Sequence, residues 1–113
     1  MLNNALNLGN VTVGSDTWVG PNVVLDGSGG LSIGNLVTVC AGVQIYTHTS
    51  VDWSVSCGAS PISRKSTTIG NGVYIRSNSV IAMGVSIGDG ASIGTMSFVN
   101  KDVPSETGKC LGY

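Results

Sequence analysis

The sequence predicts an all-β chain wound as a parallel β-helix, with about three six-residue repeats to each turn. Three observations point there. Aliphatic residues recur six apart at Val13, Val19 and Leu25, again at Ile33, Val39 and Ile45, then without a break at Ile69, Ile75, Ile81, Ile87, Ile93 and Val99. A second small or aliphatic residue stands two positions before each anchor, as at Val23, Val43, Val73 and Ala91, and positions i−2 and i share one face of an extended strand. Glycine is abundant, 17 in 113 residues, against a usual ~7%. It often follows an anchor, as at Gly14, Gly34 and Gly70, where its tolerance of positive φ suits a backbone turning between short strands. Anchors at a strict spacing of six walk around a helix of 3.6 residues per turn and leave it without an apolar stripe. Short strands of this kind bury their inner face only by stacking turn upon turn.

Taken in order, the first coil runs from Val11 to Leu25. Between Leu25 and Ile33 the spacing is eight, and "DGSGG" predicts a small bulge or loop at a corner. After Ile45 comes "YTHTSVDWSVSCGASPISRKSTT", polar and Ser-rich, with Pro61, Arg64 and Lys65. Ile45 and Ile69 are a multiple of six apart, so hidden hexads fit the count. Pro61 and Ser63 are poor core residues, however, and the composition predicts a protruding loop over about 49–67. Coils are expected over about 11–50 and 67–104, with an irregular tail at 105–113, all in a single domain, 1–113.

Composition narrows the function classes. Only 10% of residues are charged and the net charge is −1, so the basic stripe of a nucleic-acid binder is missing. No apolar run approaches the ~18 residues of a membrane span, and "MLNNALNLGN" lacks the features of a signal peptide. A cytoplasmic protein is the expectation. Cys40, Cys57 and Cys110 lack CxxC spacing and are expected to be free thiols. One histidine cannot make a three-histidine metal centre, so no metal is expected.

That histidine is the clearest chemical signal. His48 lies three residues after Ile45, between the expected inward positions Ile45 and Thr49, and so on the outside of the coil at the root of the loop. An imidazole with an unperturbed pKa of ~6.5 can take a proton from a hydroxyl near neutral pH. A carboxylate should orient it. Asp16, Asp26 and Asp52 are candidates among which the sequence does not choose.

"IYTHTS", the return "RKSTTIGNGVYI" and the run "IGDGASIG…VNKDVP" resemble the hexapeptide-repeat acyltransferase superfamily, and within it the maltose, galactoside and xenobiotic O-acetyltransferase group. The likeness covers roughly Gly9 to Pro104. It implies a left-handed parallel β-helix and a homotrimer with active sites between neighbouring subunits. It also implies direct transfer of acetyl from acetyl-CoA to a hydroxyl of a sugar or other small acceptor, with His48 as the catalytic base. Tyr74 stands where the group has Trp; with Arg76 and the loop residues Asp52 and Trp53 it is assigned to the acceptor or acyl pocket. Ala82, Met83 and Gly84 occupy the place of the group's "LPG". Thr95, Met96 and Ser97 occupy that of "AGS", and Lys101 that of the Lys in "TKDVP". These seven are assigned to the coenzyme. Trp18 is read as an outward residue suited to a subunit contact. The chain departs from the pattern with Met83 for Pro, Arg76 and Met96 for Gly, and ends that look trimmed. Those departures favour an alternative, a catalytically inactive trimeric β-helix acting as a structural or binding module.

Overall fold

The computed structural model describes residues 6–106 and shows strands stacked into three parallel faces. On the first face, β2 (Trp18–Val19), β4 (Thr38–Val39), β9 (Tyr74–Ile75) and β12 (Ser92–Ile93) lie side by side. The second holds the start of β3 (Val24–Ile33), then β5 (Gln44–Ile45), β10 (Val80–Ile81) and β13 (Phe98–Val99). The third holds the end of β1 (Leu6–Val13), whose start pairs with the start of β3 on the second face, together with the end of β3, β8 (Thr67–Ile69) and β11 (Ser86–Ile87). Ile69 faces Ile87 and Ile75 faces Ile93, eighteen residues on in each case, so a turn is three hexads.

The anchors and their i−2 partners fill the interior. Val19, Leu25, Ile33, Val39, Ile45, Ile69, Ile75, Ile81, Ile87 and Ile93 are all buried, and Val13 and Val99 pack against them at the two ends. Two-residue strands leave little room for anything else: one residue points in, its neighbour out.

The corners correct the expectation for glycine. The left-handed residue is three positions after the anchor, not one: Asp16, Asn22, Leu36, Asn78 and Met96 all have φ between 54° and 61° there. The glycine directly after the anchor meets a different demand, close approach of the next coil. At the corner between the third and first faces, Ser15 N donates to Asn35 Oδ1, Asn35 N to Asn71 Oδ1 and Asn71 N to Asp89 Oδ1, each at 2.8 Å. A Cβ on Gly34 would overlap Asn71 Oδ1 and lie 2.9 Å from the Gly70 carbonyl carbon. Gly34→Ala is therefore expected to break one rung and cost about 1–3 kcal/mol, the usual range for overpacking, measurable as a lower urea midpoint. An unchanged midpoint would show that the rung is free to shift.

Two irregularities share one corner, between the second and third faces. "DGSGG" forms the bulge of the two expected alternatives, not the loop. β3 runs straight through it, and the extra residues are taken up as a register shift against β1 between Gly9 and Val11. One coil further on, the chain leaves the helix. β6 (His48–Thr49) pairs antiparallel with β7 (Ser63–Arg64), and the short helix α1 (Val51–Val55) between them buries no residue. The loop after Ile45 is thus a hairpin with a helical turn in it. Thr47 takes the inward position, fully buried, whereas Thr49, expected inward, stands half-exposed in β6. Among the described residues no helix is long and apolar enough to cross a membrane.

Candidate active site

His48 is held from beneath by Asp26, in the coil below. Leu25 anchors the core, and the next residue, Asp26, is 1% exposed. Its Oδ1 accepts from Ser28 N at 3.0 Å. Its Oδ2 accepts from Thr47 N at 3.0 Å and pairs with His48 Nδ1, while the Thr47 hydroxyl donates its one proton to the Asp26 backbone carbonyl at 2.9 Å and lies 3.3 Å from Oδ2. Thr47 Oγ1 also accepts from Gly29 N at 2.8 Å, so the widened corner of the lower coil forms the floor on which the upper one exits. Tyr46 sets its ring edge-on to the imidazole, 6.1 Å between centroids.

Burial alone would raise the Asp26 carboxyl. The bonds from Thr47, His48 and Ser28 outweigh it and hold the group well below the usual carboxylate range. A carboxyl depressed in the folded state contributes stability that is present above its unfolded value of ~3.9. That contribution is lost as pH falls through the folded value. The urea midpoint should decline on acidification from about pH 5 to pH 2. Asp26→Asn, weaker at neutral pH, should decline less over the same range; parallel declines would assign the acid sensitivity to other carboxylates.

The imidazole is partly open, its side chain 36% exposed. It borders a groove of about 400 Å³ lined by Tyr46, His48, Thr49, Val80, Ala82, Met83 and Phe98. Val80 and Phe98 are the outward residues of β10 and β13, in register one above the other. Thus the groove runs up the second face from His48, with polar groups from His48, Thr49 and Tyr46 and apolar walls from Val80, Ala82, Met83 and Phe98.

The residues assigned from sequence are divided by this geometry. Ala82 and Met83 meet His48 in the groove. Gly84, at φ 75°, closes the same corner, with the Lys65 side chain lying across its Cα. Lys101 is exposed one coil further along that corner. Asp52 and Trp53 are exposed on α1, just past His48 in the chain. Tyr74 and Arg76 sit at the first face, outside the groove, with the guanidinium 5.0 Å from the Tyr74 ring centroid. A hydrogen bond with Cys40 raises the Tyr74 hydroxyl above the ordinary phenol value, against the opposing effect of Arg76. Thr95, Met96 and Ser97 form the far corner of the second face, where Met96 has φ 57° and is 75% exposed. Trp18 is outward on β2, as expected, and 44% exposed. Sequence reasoning missed Tyr46, Val80 and Phe98, although the eighteen-residue period stacks Val80 beneath Phe98. Cys110 and most of the expected tail, residues 107–113, lie outside the described residues.

A parallel β-helix of hexads, with a hairpin carrying its one histidine, defines a hexapeptide-repeat protein. Residues 66–101 match the family model described as bacterial transferase hexapeptide (six repeats). The chain is 36% identical to the galactoside O-acetyltransferase of Escherichia coli K12, over 82% of this chain and 56% of that protein. It superposes on a maltose O-acetyltransferase from Clostridium difficile 630 with a TM-score of 0.79 at 28% identity, covering 93% of this chain and 59% of that one. With a hexapeptide-repeat acetyltransferase from Vibrio cholerae O1 biovar eltor, solved with acetyl coenzyme A, the TM-score is 0.75 at 34% identity, covering 87% and 54%. The chain spans little more than half the length of the galactoside enzyme and 12% of the bifunctional GlmU protein of Acinetobacter baylyi, to which 48% of this chain is 39% identical. Its likeness is to the hexapeptide-repeat acyltransferases, the maltose and galactoside O-acetyltransferases among them.

Proposed function

We propose that this protein transfers an acetyl group from acetyl-CoA to a hydroxyl of a sugar or another small acceptor, with His48 as general base. The observation that carries the reading is the imidazole itself: its Nδ1 is engaged by Asp26, and the ring borders a groove with apolar walls in a chain similar to acetyltransferases. His48 takes the proton from the acceptor hydroxyl, and that oxygen attacks the thioester carbonyl. The tetrahedral intermediate collapses with release of the CoA thiolate, which recovers the proton from His48. The groove suits the pantetheine arm because its walls, Val80, Ala82, Met83 and Phe98, make no polar demand on it. Lys101, on the same corner, offers a charge to a CoA phosphate.

The reading includes a homotrimer. Exposed Trp18, Tyr74 and Met96 lie on the face and corner flanking the groove, and aromatic residues are enriched at subunit interfaces. In that assembly Tyr74, Arg76 and Thr95 to Ser97 serve a neighbour's groove, and Asp52 and Trp53 on the hairpin meet the acceptor. Calorimetric titration of the purified protein with acetyl-CoA, alongside light scattering, tests it. One site per chain in a trimer supports the enzyme; no heat at millimolar ligand sinks it and leaves a binding or structural module.

A further inference from the structure

The hairpin, residues 48–65, carries two basic residues, Arg64 and Lys65, that the proposed acetyl transfer does not use. The scaffold employs one of them: Lys65 N donates to the Thr47 carbonyl at 3.0 Å, and the Lys65 stem rests on Gly84 at the corner of the groove. Arg64 has no such task. Its side chain is exposed and, among the described residues, makes no hydrogen bond, ion pair or ring contact. The register of the hairpin decides where it goes. Because Thr47 and Lys65 are joined by a hydrogen bond, the next pair, His48 opposite Arg64, is one without hydrogen bonds between its members. In such a pair the Cα atoms are about 4.5 Å apart and both side chains leave on the same face, at their closest. Arg64 therefore emerges beside the imidazole, at the rim of the groove that His48 and Thr49 line.

We propose that Arg64 is a specificity residue, and that it selects a hydroxylated acceptor which also carries an anionic group, a carboxylate or a phosphate. The inference rests on the acetyl-transfer reading and narrows its acceptor. No carboxylate of the site neutralises the guanidinium. Asp26 is buried and committed to Ser28 N, Thr47 N and His48. Asp52, the one acid of the hairpin, makes no ion pair with Arg64. An arginine is a planar, permanently charged fork whose donors match a carboxylate or phosphate two at a time. It holds the anionic group while a hydroxyl of the same molecule stands against the imidazole. The anion is held and not consumed, and acetyl passes to the hydroxyl alone. Lys65, next in the chain, adds a second positive charge on the same strand end. A neutral sugar leaves the fork to water and gains nothing from it.

The chain's single histidine gives a readout that needs no turnover. Inorganic phosphate, titrated in at fixed pH and ionic strength, should move the His48 Cε1–H resonance saturably. Arg64→Gln should abolish the movement, and Arg64→Lys, which keeps the charge without the fork, should retain a weaker one. In turnover, glucuronate and glucose 6-phosphate compared with glucose separate carboxylate from phosphate. One of the two anions should exceed glucose in kcat/KM by about 10–100-fold, the range of hydrogen bonds to a charged group. Arg64→Gln should bring it down to the value for glucose and leave KM for acetyl-CoA unchanged. No saturable movement in the wild type overturns the proposal, as does a movement that survives Arg64→Gln. Acceptors that do not differ overturn it too, and so does a loss in Arg64→Gln shared equally by glucose and the anions, which would make the residue structural. If phosphate binds as stated but acetyl-CoA does not, the anion site stands and the transferase reading fails.

Discussion

His48→Ala is expected to lower kcat/KM for acetyl transfer by about 10³-fold, within the 10²–10⁴ range of a positioned general base, while acetyl-CoA still binds. The ring belongs to the hairpin root and not to the packed interior, and its loss leaves the Thr47 N–H on Asp26 Oδ2 and the Ser28 N–H on Oδ1. The fold should therefore survive, and the effect should fall on the chemical step. Steady-state release of CoA thiol, compared with calorimetric affinity for the same variant, separates the two. Equal losses in affinity and turnover would make His48 a binding residue. Retained turnover would remove it from the chemistry altogether.

Ile75→Ala should be the most damaging single truncation tested, costing about 2–5 kcal/mol by the range for buried Ile. Ile75 is fully buried between Val39 below and Ile93 above, each in register on the first face. Coils above and below are fixed by backbone ladders and cannot close on the void, which is what pushes the cost to the upper part of the range. Urea unfolding measures it, with Ser92→Ala, an exposed outward residue of the adjacent strand, as the reference near zero. A loss below 1 kcal/mol would mean the coils relax toward each other.

The fold was legible because a β-helix writes its core into the chain at a fixed interval. Ile69 to Ile93 could be placed inward, and in register, before any coordinate. The departure from the coil was legible for the opposite reason, since Pro61 and Ser63 are poor core residues, but the antiparallel pairing of β6 with β7 and the helical turn between them were not. What escaped was everything decided between coils. The eight-residue gap reads as a bulge or a loop in one dimension, and only pairing with β1 decides for a bulge inside a continuous strand. Glycine after an anchor reads as a turn residue, yet at Gly14 and Gly34 its task is set by an asparagine in the neighbouring coil. Asp26 was one carboxylate among three until stacking placed it under His48. Thr47 went unnoticed because the expected phase gave the inward position to Thr49.

The pairing above and below the hairpin has a further consequence. Ile33 faces Ile69 and Ile45 faces Ile81, thirty-six residues on, twice the regular interval, while the coils remain adjacent. The departing segment is thus one full turn of sequence that adds nothing to the stack. Its ends are clasped where Lys65 N donates to the Thr47 carbonyl at 3.0 Å. Closing the loop is a task the scaffold has already performed, and a longer one adds little, about 0.6 kcal/mol per doubling. The corner is a splice port. A segment of another length or character could be exchanged there while every rung above it keeps its step, so hairpin and scaffold are free to change separately.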